Sequence, residues 1–257
     1  GGCGSASICK IRLMGAQQRK LFTSLSPALL NLYDISNSVV VIIDVLRATS
    51  TIATALYNGA EAVMPVATVP RCIELGAELN GITAGERDGR VAAGLSYGNS
   101  PFEYPREFIE NKLLVLTTTN GTKLLHMALD SGATEIITGS FPNLSAVCDH
   151  LIASGKDVLL GCSAWKDRVN MEDTLFAGAV INRIKDHFEM HCDSSKMAES
   201  LFLEAGEDRF GFMERRGATH YHRLMNYGLE KDIRYCLSAD VANVLPIFRG
   251  DRLVLEA

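Results

Sequence analysis

The sequence predicts an α/β protein in which a parallel or mixed sheet carries helices on both faces. Three observations predict it. Val39-Val40-Val41-Ile42-Ile43 is an unbroken β-branched run that ends at Asp44, the pattern of a strand buried on both faces. Apolar runs at 113–117, 135–140 and 157–162 repeat this design, each ending in small or polar residues and leading into helical spacing. Finally, 257 residues at 47% hydrophobic and 21% charged describe an ordinary globular chain long enough to bury a core. No clean linker is visible, so residues 1–257 read as one compact unit.

Taken in order, residues 8–14 alternate weakly and read as an edge strand. Gln17-Gln18-Arg19-Lys20 and the Ser/Asn-rich text to residue 38 read as a helix and a loop. After the strand to Asp44, residues 48–56 place small and apolar residues at helical spacing, and Gly59 ends that helix. Residues 61–67 read as a strand, and Pro70 opens a helix over 70–79, since proline is tolerated in a first turn. Residues 82–89 are a short strand and a glycine-flanked loop. Residues 90–104 have little periodicity and read as a long ordered loop, a feature that is often functional. Helices then follow the three later strands, over 121–128, 143–153 and 171–188. Residues 194–230 are helical and more charged, and 253–255 form a last strand after Pro246.

Composition excludes several classes. A net charge of −5 and a pI near 5.7 argue against a nucleic-acid surface. No apolar run approaches the ~20 residues of a membrane span, and no leader peptide is expected from the text. Seven cysteines without a C-x-x-C pair fit a reduced, cytoplasmic protein. A homo-oligomer is compatible with all of this.

Four clusters carry the chemistry. Asp44 and Arg47 lie where a strand gives way to a helix, the edge at which open α/β sheets bind ligands. There a carboxylate can hold a metal and an arginine can fork onto an anion; the alternative is that Asp44 only caps the helix and Arg47 pairs with it. Thr117-Thr118-Thr119-Asn120-Gly121-Thr122-Lys123 offers hydroxyls, an amide and helix-start N–H groups to an anion. Thr122 or Asn120 could equally be a plain N-cap. Similar turns recur at Ser140-Phe141-Pro142-Asn143 and Ser163-Ala164-Trp165-Lys166, expected on the same sheet edge. Glu86 and Arg87 either reach that edge or lie in a solvated turn. Glu172 and Asp173 open a helix, where the dipole favours acids; Asp173 is the choice for facing the site, with Glu172 in reserve.

Asp44, Glu86 and Asp173 could give a hard cation oxygen ligands, and Mg²⁺ needs only one or two of them beside water and phosphate. No His/Cys spacing suggests zinc. His220 and His222 are expected at the surface, as are His187 and His191 on a helix. Cys162 closes an apolar run and reads as an inert buried thiol rather than a nucleophile. There is no P-loop and no G-x-S-x-G elbow. Asp44, Thr117 and Glu172-Asp173 imitate part of the haloacid-dehalogenase-like pattern, but Leu46 stands where the proton-donating second Asp belongs.

Together the clusters resemble the 2-phosphosulfolactate phosphatases. The matching text is Val41–Ser50, Gly85-Glu86-Arg87, Gly94–Pro101, Leu116–Thr122, Gly139–Asn143 and Glu172-Asp173. The resemblance runs from about residue 39 to 246. It implies a three-layer α/β/α fold with a mixed sheet and two similar, intertwined halves. It also implies a Mg²⁺-dependent phosphatase that hydrolyses 2-phospho-3-sulfolactate, a step toward coenzyme M. Asp44, Arg47, Glu86 and Arg87 are then the catalytic candidates, and Asp44, Glu86 and Asp173 the metal ligands. Candidate contacts to this small anionic phosphoester are Thr49, Ser50, Asn99, Thr118, Thr119, Asn120, Gly121, Thr122, Ser140 and Asn143. Lys123, Lys166 and Arg168 are further cations. Two other readings are a phosphatase of another phosphorylated hydroxy acid and a module that binds a phosphometabolite without turning it over.

Overall fold

The computed structural model describes residues 18–256. The expected edge strand at 8–14 lies outside the described residues, as do Cys3 and Cys9. The strands are β1 (Lys20–Ser24), β2 (Ser38–Ile43), β3 (Ala62–Val66), β4 (Ile82–Arg87), β5 (Arg90–Val91) and β6 (Leu113–Thr117). They continue with β7 (Glu135–Gly139), β8 (Asp157–Cys162), β9 (Glu189–Met190), β10 (Ile247–Arg249) and β11 (Arg252–Val254). The helices are α1 (Ala48–Tyr57), α2 (Val69–Leu79), α3 (Arg106–Ile109), α4 (Gly121–Asp130) and α5 (Leu144–Ala153), then α6 (Met171–Ile184), α7 (Asp193–Ala205), α8 (Arg209–Arg215), α9 (Thr219–Asn226) and α10 (Glu230–Cys236).

All strands join one mixed sheet in the order β5-β4-β6-β3-β11-β10-β7-β2-β8-β1-β9. It contains two parallel blocks. β4, β6 and β3 form one; β7, β2, β8, β1 and β9 form the other. The β10–β11 hairpin lies between them, antiparallel to β7 on one side and to β3 on the other. Three antiparallel pairings in series make β3 and β7 run in opposite directions. The chain builds β1 and β2 in one block, β3 to β6 in the other, and then returns, so the blocks are interleaved in sequence.

Alternation along β2 shows why helices cover both faces. Val39, Val41 and Ile43 enter a core with α5 and α6, whereas Val40 and Ile42 enter a second core with α4. The other block repeats this: Leu114 and Leu116 pack with α1, and Leu113 and Val115 with α2. The result is a layered α/β/α structure. The tightest helix pair is α6 on α7, where Gly178 permits contact: a Cβ there would stand 2.0 Å from the Ala198 carbonyl oxygen. Gly178→Ala is expected to destabilise the protein by about 1–3 kcal/mol, the usual cost of overpacking, read as a fall in Tm.

Several expectations need correction. Lys20 begins a strand rather than continuing a helix, because β1 pairs along β8 and borrows its register from it. Residues 86 and 87 belong to β4, and Asp88-Gly89, at φ of 54° and 78°, is the two-residue turn of a β4–β5 hairpin. The helix expected to reach Phe188 ends at Ile184 and tightens to a 3₁₀ turn over Lys185–His187, while His191 follows β9. The last strand is preceded by β10, which the short run Ile247–Arg249 did not announce. Among the described residues all five cysteines are free, and no helix is long and apolar enough to cross a membrane.

Candidate active site

Because the blocks oppose each other, the ligand-binding turns do not share one sheet edge. The C-terminal ends of the two blocks instead meet across a cleft. Its walls come from the turn after β2 (Asp44, Leu46, Arg47), the β4–β5 hairpin (Glu86, Asp88, Gly89), Asn99, the turn after β6 (Thr119, Asn120), Trp165 after β8, and His220, Arg223 and Leu224 of α9. The space is narrow, about 20 Å³, and open to solvent.

Asp44 is buried at the foot of this cleft. Burial is the main force that pushes its carboxyl up to about 7; His220 opposes the rise, and the charges of Glu86 and Glu172 add to it. Gly121 lets the β6 side approach closely, since a Cβ there would lie 3.0 Å from Asp44 Oδ2. Glu86 is held from both sides: its Oε1 accepts the Thr119 N–H at 3.0 Å and its Oε2 the Gly89 N–H at 2.9 Å. Arg47 does not pair with Asp44. Its Nη1 donates to Asp232 Oδ2 at 2.5 Å and its Nη2 to the Gly89 carbonyl at 3.3 Å. The peptide between Leu46 and Arg47 is cis. Neither Asn120 nor Thr122 caps α4: Asn120 makes no capping bond, and the Thr122 hydroxyl donates back to the Thr118 carbonyl.

The structure thus brings together Asp44, Arg47, Glu86, Asn99, Thr119 and Asn120. It gives other candidates different work. Arg87 points away, because neighbours on a strand face opposite sides. Its guanidinium donates to the Glu86 and Ala67 carbonyls and to Thr117 Oγ1, tying β4 to β6. Asp173 is buried off the cleft and accepts three N–H bonds, from Val45, Ala164 and the Asn170 amide. Burial and nearby Asp44 and Glu172 push its carboxyl well above the ordinary range, against those donors. It clamps the turns after β2 and β8 and is not among the residues that line the cleft. Thr49, Thr118, Gly121 and Thr122 line a separate, mostly apolar pocket between the blocks. The Ser50 hydroxyl donates to the Val45 carbonyl. Ser140 and Asn143 bond to each other, and Asn143 also holds the Val244 carbonyl. Lys123 pairs with Asp167 outside the cleft. Burial holds the Cys162 thiol well above its usual value, with Asp173 and Glu172 adding to this, so it is no nucleophile.

Two cleft residues were not legible beforehand. His220, expected at the surface, is largely buried, and its Nδ1 donates to Glu172 Oε1 at 2.5 Å. Forty-eight positions separate the partners in the chain, so no spacing rule could pair them. Arg223 follows His220 by three residues and shares its face of α9. The Asp-Gly pair at 88–89 was the one available signal for the hairpin that aims Glu86.

Buried polar side-chain atoms without a partner gather around this cleft. They include Asn99 Oδ1, Thr119 Oγ1 and Arg223 Nε on its wall, Glu172 Oε2 behind His220, and Thr118 Oγ1 and Ser163 Oγ nearby. Native proteins rarely leave such atoms unmatched unless a ligand, ion or water completes them.

Comparison with known proteins finds the chain's relatives. The family model for 2-phosphosulpholactate phosphatase matches residues 24–251. Relatives from Thermotoga petrophila and Thermotoga maritima, each called a probable 2-phosphosulfolactate phosphatase, are 41% identical over 216 residues, covering 84% of this chain and 91% of theirs. One of the same name from Caldanaerobacter subterraneus is 35% identical over 83% of this chain and 88% of its own. The chain belongs to the 2-phosphosulfolactate phosphatase family, a family of phosphoric monoester hydrolases.

Proposed function

We propose that this protein removes the phosphate from 2-phospho-3-sulfolactate, releasing 3-sulfolactate, with Mg²⁺ in the cleft, as a cytoplasmic step toward coenzyme M. The observation that carries the reading is the cleft itself: two fixed carboxylates, Asp44 and Glu86, beside unmatched buried donors and acceptors. Among the described residues no group of three or more His, Cys, Asp or Glu forms a metal cage. The donor set still fits Mg²⁺, which is typically held by one or two carboxylates and completed by water and substrate phosphate. Asp44 and Glu86 would hold it. When bound, the ion would neutralise phosphoryl charge and polarise a phosphoryl oxygen.

The chain's own groups supply the rest. Thr119 and Asn120 orient the phosphoryl oxygens at the start of α4. Water attacks phosphorus in line with the ester oxygen, the P–O ester bond breaks, and the leaving alkoxide takes a proton from His220 Nε2. Glu172 holds the imidazole by its other nitrogen and so fixes which nitrogen faces the ester. One proton of the attacking water stays on the phosphate and the other restores His220, so the step balances.

Phosphate release from a panel of phosphorylated hydroxy acids tests this. Release is expected to be fastest from 2-phospho-3-sulfolactate, abolished by EDTA and restored by Mg²⁺. A faster hydroxy-acid ester would reassign the substrate. Release untouched by EDTA refutes the metal. No release from any ester leaves a phosphometabolite-binding protein. Rapid quench with labelled substrate is expected to trap no phosphorylated protein.

A further inference from the structure

The cleft has an accounting problem that the reaction alone does not solve. Its walls carry three carboxylates, Asp44, Glu86 and Asp88, yet its substrate is a polyanion. Arg47 is already matched by Asp232, both side chains being buried, so its charge is largely spent within the protein. His220 is matched by Glu172. Arg223 differs. Among the described residues it has no ion pair, and its Nε is buried with no acceptor.

Arg223 is also held in place. Its guanidinium carbon lies 4.7 Å from the centre of the Trp165 ring. A guanidinium stacked on an aromatic face keeps its N–H donors free around its rim, where they can fork onto an oxyanion. Trp165 sits on a constrained turn. Ala164, Lys166 and Asp167 have φ of 57°, 53° and 62°, the left-handed region that side chains other than glycine rarely adopt. The turn is pinned by paired backbone bonds between Trp165 and Arg168 and by the Ala164 N–H on Asp173. Strain of this kind persists where surrounding structure enforces it, typically at ligand sites. Beyond Trp165 and His220 a second cavity opens, with those two side chains as shared walls.

We propose that Arg223, stacked on Trp165, is a specificity-determining residue that binds an acid group on the substrate's carbon skeleton, the sulfonate, rather than the phosphoryl being transferred. This rests on the phosphatase reading and adds to it. His220 and Arg223, three residues apart on one helix face, then read the two ends of one ligand: His220 the ester oxygen, Arg223 the remote anion.

The test uses the dephosphorylated skeleton, so binding is measured apart from turnover. Calorimetric titration with 3-sulfolactate and with lactate, in saturating Mg²⁺, compares the wild-type chain with Arg223→Met and Arg223→Lys. Wild type is expected to prefer 3-sulfolactate about tenfold or more, as a charged fork should. Arg223→Met is expected to bring the ratio close to one, and Arg223→Lys to keep part of it. Trp165, the single tryptophan of the chain, should report sulfolactate binding by fluorescence in wild type. Melting curves establish that the variants fold. A wild type without preference, or an Arg223→Met variant that keeps the full ratio, overturns the proposal; in the second case Arg223 merely packs Trp165. Phosphate release by wild type is scored separately. Arg223-dependent preference without any hydrolysis refutes the phosphatase reading alone; hydrolysis without preference refutes the role of Arg223 alone.

Discussion

Asp44→Asn is expected to lower kcat by about 10³-fold or more, since a carboxylate that holds the metal controls several kcal/mol of transition-state stabilisation. The amide keeps the shape but not the charge. The variant should stay folded. Asp44 is buried beside Glu86, Glu172 and Asp173, so its ionised form is a burden to the metal-free fold. The sign follows from the folded carboxyl titrating near 7 against an ordinary value of 3.8. Protons bind the folded state more tightly, so this group favours folding below about pH 4 and loses that contribution as pH rises toward 7. In EDTA, wild-type stability should therefore decline over that window, and Asp44→Asn should flatten the decline. Denaturant melts at several pH values measure it. Unchanged turnover in Asp44→Asn would remove this cleft as the active site.

His220→Gln should cost about 10² to 10⁴ in kcat on an alkyl phosphate, the range for loss of a general acid. The loss should nearly vanish on 4-nitrophenyl phosphate, whose leaving phenolate needs no proton. Glu172→Gln should follow the same leaving-group pattern with a smaller loss, because it acts only through the imidazole. Equal losses on both substrates would make His220 a binding or structural group. This is the sharpest contrast with expectation, since a His-x-His in charged helical text reads as solvated surface.

The contrast shows what the text could carry. The Val39–Ile43 run, the glycine and proline punctuation, and the 2.0 and 3.6 periodicities are local, and the strands and helices they announce are present almost throughout. Asp44, Glu86 and Asn120 were legible because strand ends and helix starts are themselves local features. Arg87 and Asp173 lie elsewhere than expected because of pairings that the local text does not announce. β4 continues through Arg87, past the short strand expected there, and turns Arg87 to the far face; the Val45 N–H, 128 positions away, and the Ala164 N–H bond to the two oxygens of Asp173.

The sequence by itself determined the α/β class, the strand ends that bear acids and hydroxyls, and the family. Only tertiary structure decided that the two parallel blocks run in opposite directions about the β10–β11 hairpin, so that their ends face each other across a cleft. It also decided that α9 closes that cleft with His220 and Arg223. The physical reason is that direction, partner choice and which side chain meets which unmatched charge are set by packing between segments far apart in the chain, and composition and spacing hold no record of it.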